Sequence, residues 1–228
     1  MEKTKVLVWD LPTRVFHWLL AATFAGAFLT AESERLRDVH VTLGYTVLGL
    51  VAFRLMWGVI GTRYARFNSF AFGARSVLGY LKSLFARSPR QYLGHNPAGS
   101  WAIYILLALT AAAGLTGYAT YNGIGGDWLE ELHEGVANTL LAVVFVHIAG
   151  VLVSSLIHRE NLVRSMINGL KAGGPGEGIR YRHRIVAAAL VLAVGGFWIE
   201  SAGFFASDAG STLDAVLGRK FKEHEAHG

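Results

Sequence analysis

The chain has 228 residues, of which 53 % are hydrophobic and only 16 % charged, and its net charge is +5. Soluble domains carry about 25 % charged residues. With a mean hydropathy of +0.39, the composition excludes disorder and points away from an ordinary soluble enzyme toward an integral membrane protein. There is no cysteine, which excludes disulfides, thiolate iron–sulfur clusters, cysteine-based zinc sites and covalent c-type haem. The basic residues cluster beside apolar stretches, so the positive charge belongs to a membrane surface and not to nucleic-acid binding.

Five apolar stretches are long enough for a bilayer core that takes about 20 helical residues. They fall near 15–31, 39–60, 98–120, 129–157 and 185–206. The basic start of the first and its Ala25-Gly26-Ala27 also fit a cleaved signal peptide, but a His and a Trp beside a charged flank favour a retained span. Between the second and third stretches, Val77, Leu78, Leu81, Leu84 and Phe85 recur at helical spacing, with Arg75 and Lys82 on the other face. That pattern predicts a surface helix lying on the bilayer. Residues 160–171 read similarly through Leu162, Val163, Met166 and Leu170, and Gly173-Gly174-Pro175-Gly176 then breaks the chain.

The connections alternate in charge. Those on the N-terminal side carry fifteen Lys and Arg, those on the other side five, and Arg54 alone lies inside a span. The positive-inside rule then places the N-terminus in the cytoplasm and the C-terminus outside. The expected fold is an all-α integral membrane protein: transmembrane helices and a cytoplasmic surface helix over 1–171, then an inner loop, a fifth C-terminal transmembrane helix and an outer tail over 172–228.

Ionisable residues inside a membrane span suggest function by default. His133 and His147 are 14 residues apart in the fourth span. That is about 40° short of four full turns and about 21 Å along the axis, so they share a face at two depths. A chelating zinc pair would sit at i, i+4. His40 opens the second span on the outer side, level with His133, and His17 opens the first on the inner side, level with His147. Two facing pairs follow, His40 with His133 and His17 with His147. Two imidazoles from different helices across a gap are what a bis-histidine haem needs, and without cysteine such haem is non-covalent and b-type. Arg54 follows His40 by 14 residues, on the same face at the inner level. A buried guanidinium needs an acceptor, and a haem propionate or a quinone carbonyl would serve. Gly44 and Gly150 lie within about a turn of His40 and His147, where a flat macrocycle can approach the backbone.

These residues carry a resemblance. His17-Trp18-Leu19-Leu20, Val39-His40, Arg54-Leu55-Met56-Trp57-Gly58, Gly94-His95-Asn96-Pro97-Ala98-Gly99 and Leu132-His133-Glu134-Gly135 followed by His147 resemble the prokaryotic cytochrome b561 and nickel–iron hydrogenase b-type cytochrome group over about residues 6–171. The resemblance implies a four-helix core holding two b haems stacked across the membrane on the same four histidines. It also implies electron exchange between a quinone pool and a periplasmic redox protein, such as a hydrogenase or a c-type cytochrome. Arg14, Arg54, His95 and His158 are the candidates for a quinone site at the inner end. Two other readings compete: a self-contained oxidoreductase that oxidises a small periplasmic reductant and reduces quinone, and a haem-free anchor or transporter. The resemblance leaves the fifth helix, the tail and the oligomeric state open.

Overall fold

The computed structural model describes residues 4–86 and 89–203. The predicted C-terminal tail, with the last basic residues counted above, lies outside the described residues, as does Arg87.

Asp10 starts the first long helix. Its side chain accepts a 2.8 Å hydrogen bond from the Thr13 amide, and Pro12 sits in the first turn. One free N–H is thereby capped, and proline occupies a turn that needs no donor. The same device recurs at the loop motif: Asn96 accepts from the Gly99 amide at 2.7 Å, and Pro97 opens the helix.

In chain order the elements are β1 (Thr4–Leu7), α1 (Leu11–Thr30), α2 (Arg37–Ile60), α3 (Ala74–Ser83), α4 (Pro97–Tyr121), α5 (Trp128–His158), α6 (Leu162–Asn168), β2 (Leu170–Gly173) and α7 (Arg184–Gly203). Among the described residues, four helices are long and apolar enough to cross a membrane: α2 with the turn before it, α4, α5 and α7. α1 has the 20 residues of a crossing, but Arg14, His17 and Trp18 in its first turns make it less apolar than those four.

The chain divides into two compact units, Met1–Ala188 and Ala189–Gly228. In the first, α1 lies against α2, α2 against α4 and α4 against α5. Only 6 % of the most apolar stretch of α5 is buried, so this helix offers most of its surface to lipid, as an apolar helix in a bilayer can. In the second unit the described residues, 189–203, are helical and continue α7.

The end of the bundle where α1 begins, called here the near end, carries a cap that hydropathy does not announce. β1 pairs antiparallel with β2, Thr4 opposite Gly173 and Leu7 opposite Leu170. The helix expected over 160–171 is therefore shorter, and Leu170 belongs to a strand. Gly169 is the reason. It ends α6 at φ +83, and its carbonyl accepts from the Val8 and Trp9 amides at 2.8 and 3.1 Å. A Cβ there would lie 2.6 Å from the Trp9 carbonyl oxygen, so only glycine fits the left-handed turn. Val8, Trp9 and Tyr64 form a small core beneath the strands, with Val6, Leu93, Met166 and Ile179 packed against it.

α3 is the expected surface helix, though it ends at Ser83, before Leu84 and Phe85. Leu78 and Leu81 are exposed on it while Tyr80 is buried against the bundle.

Candidate functional site

At the far end of the bundle, His40 on α2 and His133 on α5 face one another. Their ring centroids are 6.1 Å apart and their planes stand at 86°. The His40 Nδ1 atom lies 2.8 Å from the Ala27 carbonyl oxygen, and the His133 Nδ1 atom 3.0 Å from that of Ala113. A carbonyl only accepts, so each Nδ1 carries its proton and each Nε2 keeps a free lone pair. The Thr116 hydroxyl is a second neighbour of the His133 Nδ1 atom, at 3.2 Å. Gly117 lies flush with the ring: a Cβ there would sit 2.8 Å from His133 Cε1. A shallow crevice opens beside the two rings, lined also by Gly44, Gly114, Tyr45 and Tyr118. Space around Gly44 is open on the side where a Cβ would stand.

Toward the near end, His17 on α1 and His147 on α5 are within electrostatic reach of one another. Both are half-buried. The His17 Nδ1 atom is buried without a hydrogen-bond partner among the described residues, and the ring stands edge-on to Trp18 at 5.0 Å. The Trp18 indole donates to the Met166 carbonyl at 3.1 Å, which ties α1 to α6.

Arg54 is buried, with its guanidinium carbon 4.6 Å above the Phe67 ring. Gly58 makes room for that ring, since a Cβ there would stand 2.1 Å from Phe67 Cε2. The Arg54 Nη1 atom has no hydrogen-bond partner among the described residues. His95 is within its electrostatic reach and is clamped between Trp9 at 4.6 Å and Phe70 at 4.4 Å. Burial above all, then Arg54, Lys171 and His147, push the His95 imidazole down to about 3, so it is neutral at physiological pH.

The four residues expected at a quinone site do not form one cluster. Arg54 and His95 stand together. Arg14 donates through Nη1 to the Ile167 carbonyl and faces Asp10 and Arg182. His158 pairs with Tyr80, its Nε2 atom 3.2 Å from the phenol oxygen. Lys171 joins His95 and His158 electrostatically. It is itself buried, bridged to Glu160 at 3.3 Å and donating to the Tyr92 carbonyl at 3.2 Å. Burial lowers its pKa more than Glu160 raises it.

Sequence reasoning missed Asp10. It is 1 % exposed, and besides capping α1 it accepts from the Trp57 indole at 3.1 Å and the Thr62 hydroxyl at 2.6 Å. The signal available was Asp-Leu-Pro before an apolar run, a helix start that by itself says nothing of two further partners. Among the described residues, no group of three or more His, Asp or Glu could chelate a metal ion.

Known proteins complete the picture. Residues 8–169 match the family described as prokaryotic cytochrome b561. A protein of Rhizobium leguminosarum bv. viciae named "Probable Ni/Fe-hydrogenase B-type cytochrome subunit" is 24 % identical over 74 % of this chain and 90 % of its own. Proteins of the same name from Azotobacter vinelandii and Rhodobacter capsulatus are 25 % and 26 % identical, over 74 % of this chain and 89 % and 82 % of theirs. No solved structure matches. An apolar helical bundle that brings histidines of α2 and α5 ring to ring thus carries a family match along most of its length, and the chain belongs to the prokaryotic cytochrome b561 family, membrane proteins of b-type haem and electron transport.

Proposed function

We propose that this chain holds two b haems, one between His40 and His133 at the far end and one between His17 and His147 toward the near end, and passes electrons across the membrane. The observation that carries the reading is the far pair. The rings of His40 and His133, carried by different helices, stand with their centroids 6.1 Å apart, a separation at which both imidazoles would hold one haem iron. Their Nδ1–H groups are spent on carbonyls, which leaves Nε2 as the ligating nitrogen and fixes each ring. The open side of Gly44 and the adjoining crevice suit a flat macrocycle. The residues present therefore fit the group.

Haem b, when bound, supplies an iron that takes up and gives away one electron at a time. Two histidines held for each haem would suit passing electrons and not activating oxygen at iron. Two of the imidazoles, His40 and His133, are tied to main-chain carbonyls and would need little rearrangement when the charge beside them changes. At the near end, Arg54 and His95 offer a cation and a neutral imidazole beside His147. They suit a haem propionate or a quinone carbonyl, with Arg14 and His158 flanking outside that contact.

By the charge bias of its connections, the near end faces the cytoplasm of a bacterium and the far end its periplasm. A periplasmic redox protein, hydrogenase-like as the relatives' name says of them, would exchange electrons at the far end, and quinone at the near end. The deciding test is a reduced-minus-oxidised spectrum with a haem count on the purified protein. Two b haems per chain are expected. One would remove a pair, and none would overturn the reading.

A further inference from the structure

The His133 ring is fixed by α4, a helix that contributes none of the four paired histidines. We propose that Thr116 is a positioning residue of the far haem site. Acting through the His133 Nδ1 atom, it sets the plane of that ring against His40 and holds down the potential of the haem between them. The proposal rests on the ligand reading above.

Hydrogen counting gives the argument. The Thr116 hydroxyl lies 2.8 Å from the Ala112 carbonyl oxygen and 3.1 Å from that of Ala113. This is the back-bonding that threonine makes within a helix, and it takes up the hydroxyl proton. What Thr116 turns toward His133 is therefore a lone pair. The single Nδ1–H is shared between the Ala113 carbonyl at 3.0 Å and Thr116 Oγ1 at 3.2 Å. The ring also lies flush on the Gly117 backbone, where a Cβ would come within 2.8 Å of Cε1 and 3.2 Å of Nδ1. Ala113, Thr116 and Gly117 share one face of α4 by their i, i+3, i+4 spacing, and together they define one orientation. His40 has a single acceptor, Ala27.

Two consequences follow. The planes stand at 86°, and near-perpendicular imidazoles leave two iron d orbitals close in energy, which gives a highly anisotropic low-spin ferric EPR signal; parallel rings give an ordinary rhombic one. A second acceptor on Nδ1–H also makes Nε2 a stronger donor, which favours ferric iron and lowers the potential.

The test is low-temperature EPR with redox titration of the purified holoprotein, Thr116→Val and Thr116→Ser. The wild type should show a highly anisotropic signal that His133→Ala removes. Thr116→Val should move that signal toward the rhombic form and raise the midpoint of that haem alone, and Thr116→Ser should keep both at wild-type values. An unmoved signal and midpoint in Thr116→Val overturn the proposal, as does a serine variant that behaves like valine. If Thr116→Val loses haem, the serine variant decides alone: wild-type values support the proposal and shifted values overturn it. Survival of the anisotropic signal in His133→Ala is a different failure, because it removes the ligand reading itself.

Discussion

His40 and His133 are both held by main-chain carbonyls, on α1 and α4, at 2.8 and 3.0 Å, with the Thr116 hydroxyl a second neighbour of His133. His17, by contrast, keeps a buried Nδ1 atom with no hydrogen-bond partner among the described residues, in a region whose order comes from side chains: Asp10, Trp57, Thr62, Arg54 over Phe67, and His95 between Trp9 and Phe70. Backbone acceptors on helices cannot be exchanged by substitution, whereas a side-chain network can be altered piece by piece. The far end is thus built for one fixed geometry. The near end concentrates charge and unsatisfied polar atoms where a small redox molecule or a propionate could complete them.

The largest effects should come from the rings themselves. His133→Ala should leave one haem per chain, as should His147→Ala, and each variant should lose a different component of the redox titration. A haem count with potentiometry reads both. If His147→Ala kept two haems with unchanged spectra, the near pair would be wrong while the far pair stood.

Next comes the near-end scaffold. Asp10→Ala leaves the Thr13 amide, the Trp57 indole and the Thr62 hydroxyl without their acceptor. A lost helix cap costs about 0.5–2 kcal/mol, and a buried donor left unpaired about 1–3 kcal/mol. A loss of about 2–4 kcal/mol is expected, seen as a lower thermal midpoint in detergent, with the far-site EPR signal unchanged. A loss of the far signal in the same variant would show the two ends to be one cooperative unit.

Arg54→Gln sharpens what the near end binds. If the guanidinium meets a propionate, the near haem's potential should shift with little change in KM for a quinol analogue. If it meets a quinone carbonyl, KM should rise about tenfold, the worth of one charge-assisted hydrogen bond, at constant potential. No change in either would remove Arg54 from the site.

The difference between the two ends also explains what the sequence could tell. Depth counting works for His40 and His133 because both lie on long straight helices, where residue number converts directly to height. The same counting sets His147 level with His17, and the two are within electrostatic reach of one another. It fails for the cap, because four-residue strands carry too little alternation to stand out, and because Leu170 fits a helical pattern until Gly169 ends the helix. Asp10 and Thr116 were illegible for another reason. Each acts through partners far along the chain or on another helix, Asp10 on Trp57 and Thr62, Thr116 on His133, and no local spacing encodes such a pair. Motif residues split likewise: Asn96, Pro97, Trp57, Gly58 and Trp18 build the near end, where a motif alone reads as chemistry.

The smallest predicted effect tests whether the near end's buried histidine stays neutral. His95 is held down at about 3, with burial the main cause and the charges of Arg54 and Lys171 next, followed by His147. In the unfolded chain a histidine titrates near 6.5. Between these values the unfolded state binds the extra proton, so stability should rise with pH across that window and level off above it. Other groups titrate in the same range, so the informative quantity is a difference in slope. His95→Gln removes the group while retaining a polar side chain between Trp9 and Phe70. Its thermal midpoint should fall less steeply than the wild type's as pH drops from 7 to 4. Equal slopes would mean that acid protonates His95 in the folded protein, and hence that water reaches the aromatic clamp.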